Sequence, residues 1–124
     1  MSEAPTSARL KLKAQIFLGD EIAMGPGKAE LLEAIDQTGS ISAAGRALGM
    51  SYRRTWLLVD IMNRCWREPL VTTTLGGSKG GGASITAFGR EILRQYRDLE
   101  NRIHAEAEAG TWRTLLSSLH SSRR

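Results

Sequence analysis

The side chains with most to offer chemically lie in the middle of the chain. Arg53-Arg54 opens an apolar-periodic stretch, and Lys79 sits in the glycine-rich run Gly76-Gly77-Ser78-Lys79-Gly80-Gly81-Gly82. Guanidinium forks match guanine edges and phosphate oxygens, and a loop ammonium can lie along a phosphate backbone. The same run does not make a nucleotide cradle. A P-loop needs Ser or Thr after its lysine and a helix beyond it, whereas Lys79 precedes Gly80 and β-prone runs flank the loop. Catalysis finds little: His104 and His120 have no Cys, Asp or Glu arranged around them as metal ligands, and Cys65 has no histidine near it. No enzyme, metal site or cofactor is expected.

Composition agrees. The 124 residues suit one domain, with 41% hydrophobic and 24% charged residues. Apolar runs such as 56–59 are far short of the ~20 residues that cross a membrane. The first residues lack the apolar core of a secretory signal. A single cysteine excludes an internal disulfide and fits the cytoplasm. The net charge of +4 is uneven: residues 41–90 hold 7 Lys/Arg against 2 Asp/Glu, whereas residues 1–40 hold 4 against 6. A basic block inside a folded domain is the footprint of a phosphate-binding protein, and also of a plain solubilising surface.

The elements that must position these residues follow from periodicity. Residues 1–8 read as a disordered lead-in. Leu10, Leu12, Ala14, Ile16 and Leu18 alternate with polar residues as a half-buried strand, Gly19-Asp20 turns, and residues 21–24 return. Pro26 opens a helix through Leu31, Leu32 and Ile35 that stops at Gly39. A second helix spans about 42–48 behind a Ser40 or Ser42 cap, and a third runs from Ser51 to about Cys65. Residues 70–75 and 83–86 make a long hairpin around the glycine-rich tip. Phe88 to about Ala109 is helical, and Trp112, Leu115, Leu116 and Leu119 suggest a short last helix.

The spacing over 41–58 fits a helix-turn-helix. Gly49 supplies the turn, Ala44 and Gly45 fall where two steeply crossed helices touch, and Leu48, Met50 and Leu58 lock the pair. Ser51, Tyr52, Arg53, Arg54 and Leu57 are left facing outward, where such a helix enters the major groove. An ordinary helical hairpin fits the spacing too. Ser51 doubles as a cap, and Tyr52 reads equally as a core ring or a phosphate-binding hydroxyl. Trp56, Val59 and Met62 read as core, and Leu57 and Ile61 as an apolar pair against the N-terminal hairpin. Phe88, Ile92, Tyr96, Leu99 and Ile103 form one stripe on the long helix, suited to pairing two copies.

Gly39-Ser40-Ile41-Ser42, Ser51-Tyr52, Trp56, Val59, Met62-Asn63, the glycine-rich tip, and Thr86 with Gly89 together resemble the ModE-type molybdate-responsive transcription regulators. The resemblance covers roughly residues 10–107 and is to their N-terminal, LysR-like DNA-binding domain, without the molybdate-binding domains that follow it. It implies a mainly α fold with small β: a winged helix-turn-helix with an N-terminal β-hairpin over 9–87, and a C-terminal dimerisation helix with a short tail helix over 88–124. It also implies a cytoplasmic homodimer on double-stranded DNA with a palindromic operator. Arg46, Arg64 and Lys79 are then the expected phosphate contacts beside residues 51–54 and Leu57. Molybdate enters by resemblance alone, and no oxyanion site carries over onto these residues. Gly45 stands where the family usually has alanine, a departure costing the helix about 1 kcal/mol. The alternative function is a module of the same fold that binds a protein partner or senses a small anion.

Overall fold

A computed structural model describes residues 7–74 and 82–120. They form β1 (Ile16–Leu18), β2 (Glu21–Met24), α1 (Pro26–Thr38), α2 (Ile41–Ala47), α3 (Tyr52–Cys65), β3 (Val71–Thr74), β4 (Gly82–Ile85), α4 (Ala87–Glu108) and α5 (Thr111–Ser117). The strands make two separate antiparallel hairpins, so the chain is mainly α with small β. Residues 14–97 form one compact unit, and residues 98–120 cluster with 7–13 in another. α4 runs through both units, and its first part, to Arg97, belongs to the larger one.

The alternation over 8–17 is real as burial, since Leu10, Leu12, Ala14 and Ile16 are half-buried and the residues between them exposed. Strand pairing is confined to Ile16–Leu18, and Leu18 does not keep the inward face. The register is irregular here: Ile16 pairs with Met24 but Phe17 with Ile22, so Ala23 is an extra residue on β2. A one-residue bulge flips the side-chain alternation beyond it. Ala23 and Met24 are both buried, and Phe17 and Leu18 both emerge.

The core of the larger unit is built from one face of each helix. Leu31, Leu32 and Ile35 of α1, Ile41 and Ala44 of α2, and Leu58, Val59 and Met62 of α3 close on Met24, Leu70, Val71 and Ile85. These positions recur at the three- and four-residue steps that put side chains on one helical face. The α2–α3 turn uses Gly49 at φ 72°, which glycine adopts without strain. Leu48, read as a locking residue, is instead at the rim, whereas Met50 packs on the core.

The second hairpin is fastened at its base. Asn63 Oδ1 accepts from the backbone N–H groups of Leu70 (2.8 Å) and Val71 (3.0 Å), while Nδ2 donates to the Val71 carbonyl (3.0 Å). On the other strand, Thr86 Oγ1 donates to the Pro69 carbonyl (2.8 Å) and accepts from the Gly89 N–H (2.8 Å), capping α4. Gly89 lies so close to Leu70 that an added Cβ would be 2.9 Å from its Cα. Asn63, Thr86 and Gly89 thus form one joint between α3, the hairpin and α4.

α4 buries Tyr96 and half-buries Phe88, Ile92 and Leu93 against the core of the larger unit. The Tyr96 hydroxyl donates to the Ala14 carbonyl at 2.7 Å, and the Arg67 guanidinium stands over the Phe88 ring at 5.3 Å. Arg90 and Arg97 fork onto Asp36 and Glu33 of α1. Within the smaller unit, Leu99 and Ile103 are 40% and 37% exposed, and Leu115 of α5 and Leu119 beyond it are more so.

Candidate nucleic-acid interface

α3 owes its position to two devices. Ser51 Oγ accepts from the Arg54 N–H at 3.1 Å, so the hydroxyl is spent as an N-cap. Thr55 is fully buried against α2, where Gly45 lets the two backbones approach: an added Cβ there would be 2.9 Å from Thr55 Cβ. The glycine is therefore the partner of a β-branched threonine, and its propensity cost of about 1 kcal/mol is set against that contact.

A helix advances about 100° per residue. With Thr55, Leu58, Val59 and Met62 inward, Arg53 falls near the middle of the outward face, with Leu57, Asp60 and Arg64 along the same line. Tyr52 and Trp56 fall on one flank and Arg54 on the other. The two adjacent arginines thus diverge across the exposed face. Neither has a hydrogen-bonded or ion-paired partner among the described residues, and the same holds for Arg46 in the last turn of α2.

Tyr52 is 68% exposed and its ring meets that of Trp56, with centroids 6.1 Å apart, so it is not a core ring. Trp56 is 38% exposed, unlike its core neighbours Val59 and Met62. Leu57 is exposed and Ile61 half-buried. Arg64 is engaged within the chain: Nη1 and Nη2 each donate to a Glu21 carboxylate oxygen at 3.1 Å, and Nε donates to Asp60 at 2.9 Å. Those bonds hold its pKa above the usual guanidinium value and tie the far half of α3 to β2. Nearby, burial pushes the Cys65 thiol up, and burial followed by the Arg54 charge pulls the Lys28 ammonium down. Lys79 lies outside the described residues.

Beside the Trp56 flank is a cleft of about 310 Å³. Ser40, Ile41 and Ser42 at the start of α2, Trp56, and Thr73 and Thr74 of β3 line it. Ala83 donates its N–H to the Gly39 carbonyl at 2.9 Å, which holds the hairpin against this side of α2. Sequence periodicity misses Trp56, Ser42 and Thr73 as surface groups. The step of four from Tyr52 to Trp56 and the run of threonines were the available signals. Among the described residues, no group of three or more His, Cys, Asp or Glu is placed to hold a metal ion, and no helix is long and apolar enough to cross a membrane.

The geometry defines a class: a small α-rich chain in which a short helix, a tight glycine turn and an arginine-bearing helix stand beside a threonine-rich hairpin. No family model matches the chain. Curated proteins do. It is 42% identical over 95 residues to the molybdenum transport protein ModE of Azotobacter vinelandii, covering 77% of this chain and 35% of that one. It is 34% identical over 98 residues to the DNA-binding transcriptional dual regulator ModE of Escherichia coli K12, covering 79% and 35%. To the molybdenum-pterin-binding protein MopB of Rhodobacter capsulatus it is 44% identical over 77 residues, covering 62% and 28%. The chain spans about a third of the length of these relatives. Over that shared segment the chain is similar to the ModE-type proteins.

Proposed function

We propose that this chain is the DNA-binding part of a cytoplasmic transcription regulator, a winged helix-turn-helix that acts as a homodimer on a palindromic operator. The observation that carries the reading is Arg53: exposed, without a partner among the described residues, and central on the outward face of α3, with Tyr52 and Arg54 on either side. A helix of this kind fits the major groove, where an arginine fork can read a guanine edge. That one relative is named a DNA-binding transcriptional regulator supports it. Arg46 and Lys79 are the phosphate contacts in this reading. Arg64 is assigned to holding β2 on α3, and Asp60 beside it marks where the DNA-facing part of the helix ends.

Molybdate has no site in this reading. The cleft beside Trp56 has no lysine or arginine among its lining residues to balance the charge of a free dianion taken from water.

Selection of bound duplexes from a random DNA pool tests the proposal. An inverted repeat with half-sites about one helical turn apart, ~34 Å, is the expected outcome. Association that survives rising salt unchanged would point instead to an apolar protein partner at Leu57, because DNA binding releases counterions and weakens with salt.

A further inference from the structure

The cleft between the start of α2, Trp56 and β3 is not used by the reading above, yet it adjoins the proposed DNA-facing helix. Its chemistry is one-sided. Among the described residues, the Ser42 hydroxyl, the Thr73 hydroxyl and the Trp56 indole Nε1–H have no hydrogen-bond partner, and no acidic side chain lines the cleft. The Thr74 hydroxyl is occupied by the backbone of Gly82 and the Ser40 hydroxyl by the Ala43 N–H. Three available donors and a flat aromatic face, with no charge of either sign, suit a ligand that brings acceptor oxygens and a small apolar ring edge.

The position selects among such ligands. A helix lying in the major groove has the groove floor under its outward line and a sugar–phosphate wall on each flank; the groove is about 12 Å wide, close to the diameter of the helix itself. Arg53 lies on the outward line, and Trp56 lies on the flank that turns toward the hairpin. We infer that the cleft seats one sugar–phosphate unit of the DNA backbone, its phosphodiester oxygens taking the Ser42, Thr73 and Trp56 donors and its deoxyribose packing on the indole. This inference rests on the DNA-binding reading and extends it to residues that carry no charge.

The absence of charge makes the contact separable from the arginine contacts. Replacing Thr73→Val or Trp56→Phe removes a donor and no cation, so no counterion release is lost. Each variant is expected to weaken binding about 3- to 10-fold, the loss of one good hydrogen bond. The loss should be equal on the selected operator and on scrambled duplex, with an unchanged salt slope. Both side chains are at the surface, so melting temperatures should match the wild type. An operator carrying single neutral methylphosphonates along its backbone locates the contact: one position should weaken wild-type binding, and weaken the Thr73→Val variant, which keeps the Ser42 and Trp56 donors, by less. If neither variant changes affinity while Arg53→Ala does, the cleft proposal is overturned and the DNA reading stands. A loss confined to one base pair would also overturn it, since the cleft would then read sequence. Thermal stabilisation of the wild type by inorganic phosphate, abolished by Ser42→Ala, would make the cleft a small-anion site instead. If the wild type binds no duplex at all, the DNA reading itself falls, and the cleft assignment with it.

Discussion

Gly45 and Thr55 are a matched pair: the buried threonine occupies the space that any side chain on Gly45 would need. Thr55 Oγ1 also donates to the Ser51 carbonyl at 2.7 Å, so the residue cannot swing aside without losing a bond inside α3. The angle at which α3 leaves α2, and hence the direction in which Arg53 points, is set at this contact.

Gly45→Ala therefore tests whether packing or helix propensity decides at this position. Alanine is the better helix former by about 1 kcal/mol, but overpacking a tight crossing costs about 1–3 kcal/mol. The variant is expected to be less stable than wild type in urea denaturation. Thr55→Ala removes two of the three side-chain atoms nearest the added Cβ, so the double variant should lose less than the two single losses added together. Simple additivity would mean that the two residues do not compete for the same space.

Asn63 offers a second test of the scaffold. Substituting leucine leaves the N–H groups of Leu70 and Val71 without their acceptor at a site where both residues are buried. Each orphaned group costs about 1–3 kcal/mol. Asn63→Asp keeps the acceptor and orphans neither N–H, but turns a carboxylate oxygen toward the Val71 carbonyl, so it should still lose some stability. Hydrogen exchange provides the local readout: the amides of β3 and β4 should lose protection before those of α1. Uniform loss of protection across all elements would mean that the clamp does not govern the hairpin in particular.

These two sites show how much was legible beforehand. Helix starts and stops were readable because Ser40, Ser51, Pro26 and Gly39 act locally, each on its own turn. The α2–α3 contact was readable in outline from Ala44 and Gly45, but the partner of Gly45 was not, since Thr55 on its own reads as an ordinary polar residue. The bulge at Ala23 was hidden because alternation in β1 continues unbroken through Leu18, and the irregularity lies in the other strand. Trp56 was misplaced because indoles usually cover apolar surface, and helical spacing alone cannot separate a flank facing a cleft from one facing the core. Arg64 looked available because Glu21, its partner, lies 43 residues away in the chain.

On the DNA reading, the divergence of Arg53 and Arg54 makes their variants distinguishable. Arg53→Ala should cost about 1–3 kcal/mol on the operator and relax preference at one base position. Arg54→Ala, on the flank, should weaken all duplexes about equally and make the salt slope shallower by about one, as for a lost phosphate contact. Lys79→Ala is expected to behave like Arg54→Ala. Reversal of the two arginine phenotypes, scored by competition among single-base operator variants, would mean that α3 sits in the groove rotated so that Arg54 faces its floor.

The remaining prediction concerns the stripe along α4. Its first three members have work inside one chain: Phe88 and Ile92 pack on the core, and the buried Tyr96 bonds to Ala14. Substitutions there, such as Ile92→Ala, should lower the melting temperature regardless of protein concentration. Leu99 and Ile103 are different, because each leaves more than a third of its surface in water, one helical turn apart on the same side of α4. Two copies pairing through these residues would bury that surface and bring two copies of the chain to one palindromic operator. Leu99→Asp with Ile103→Asp places carboxylates in that seam with no partner, an expensive burial, while in a lone chain both aspartates would be solvated. Sedimentation of the double variant should therefore show a folded monomer with an unchanged melting temperature and weak operator binding. A wild type that sediments as a monomer at tens of micromolar, yet binds the inverted repeat with full affinity, would remove this seam from the proposal and leave the DNA itself as the element that brings two copies together.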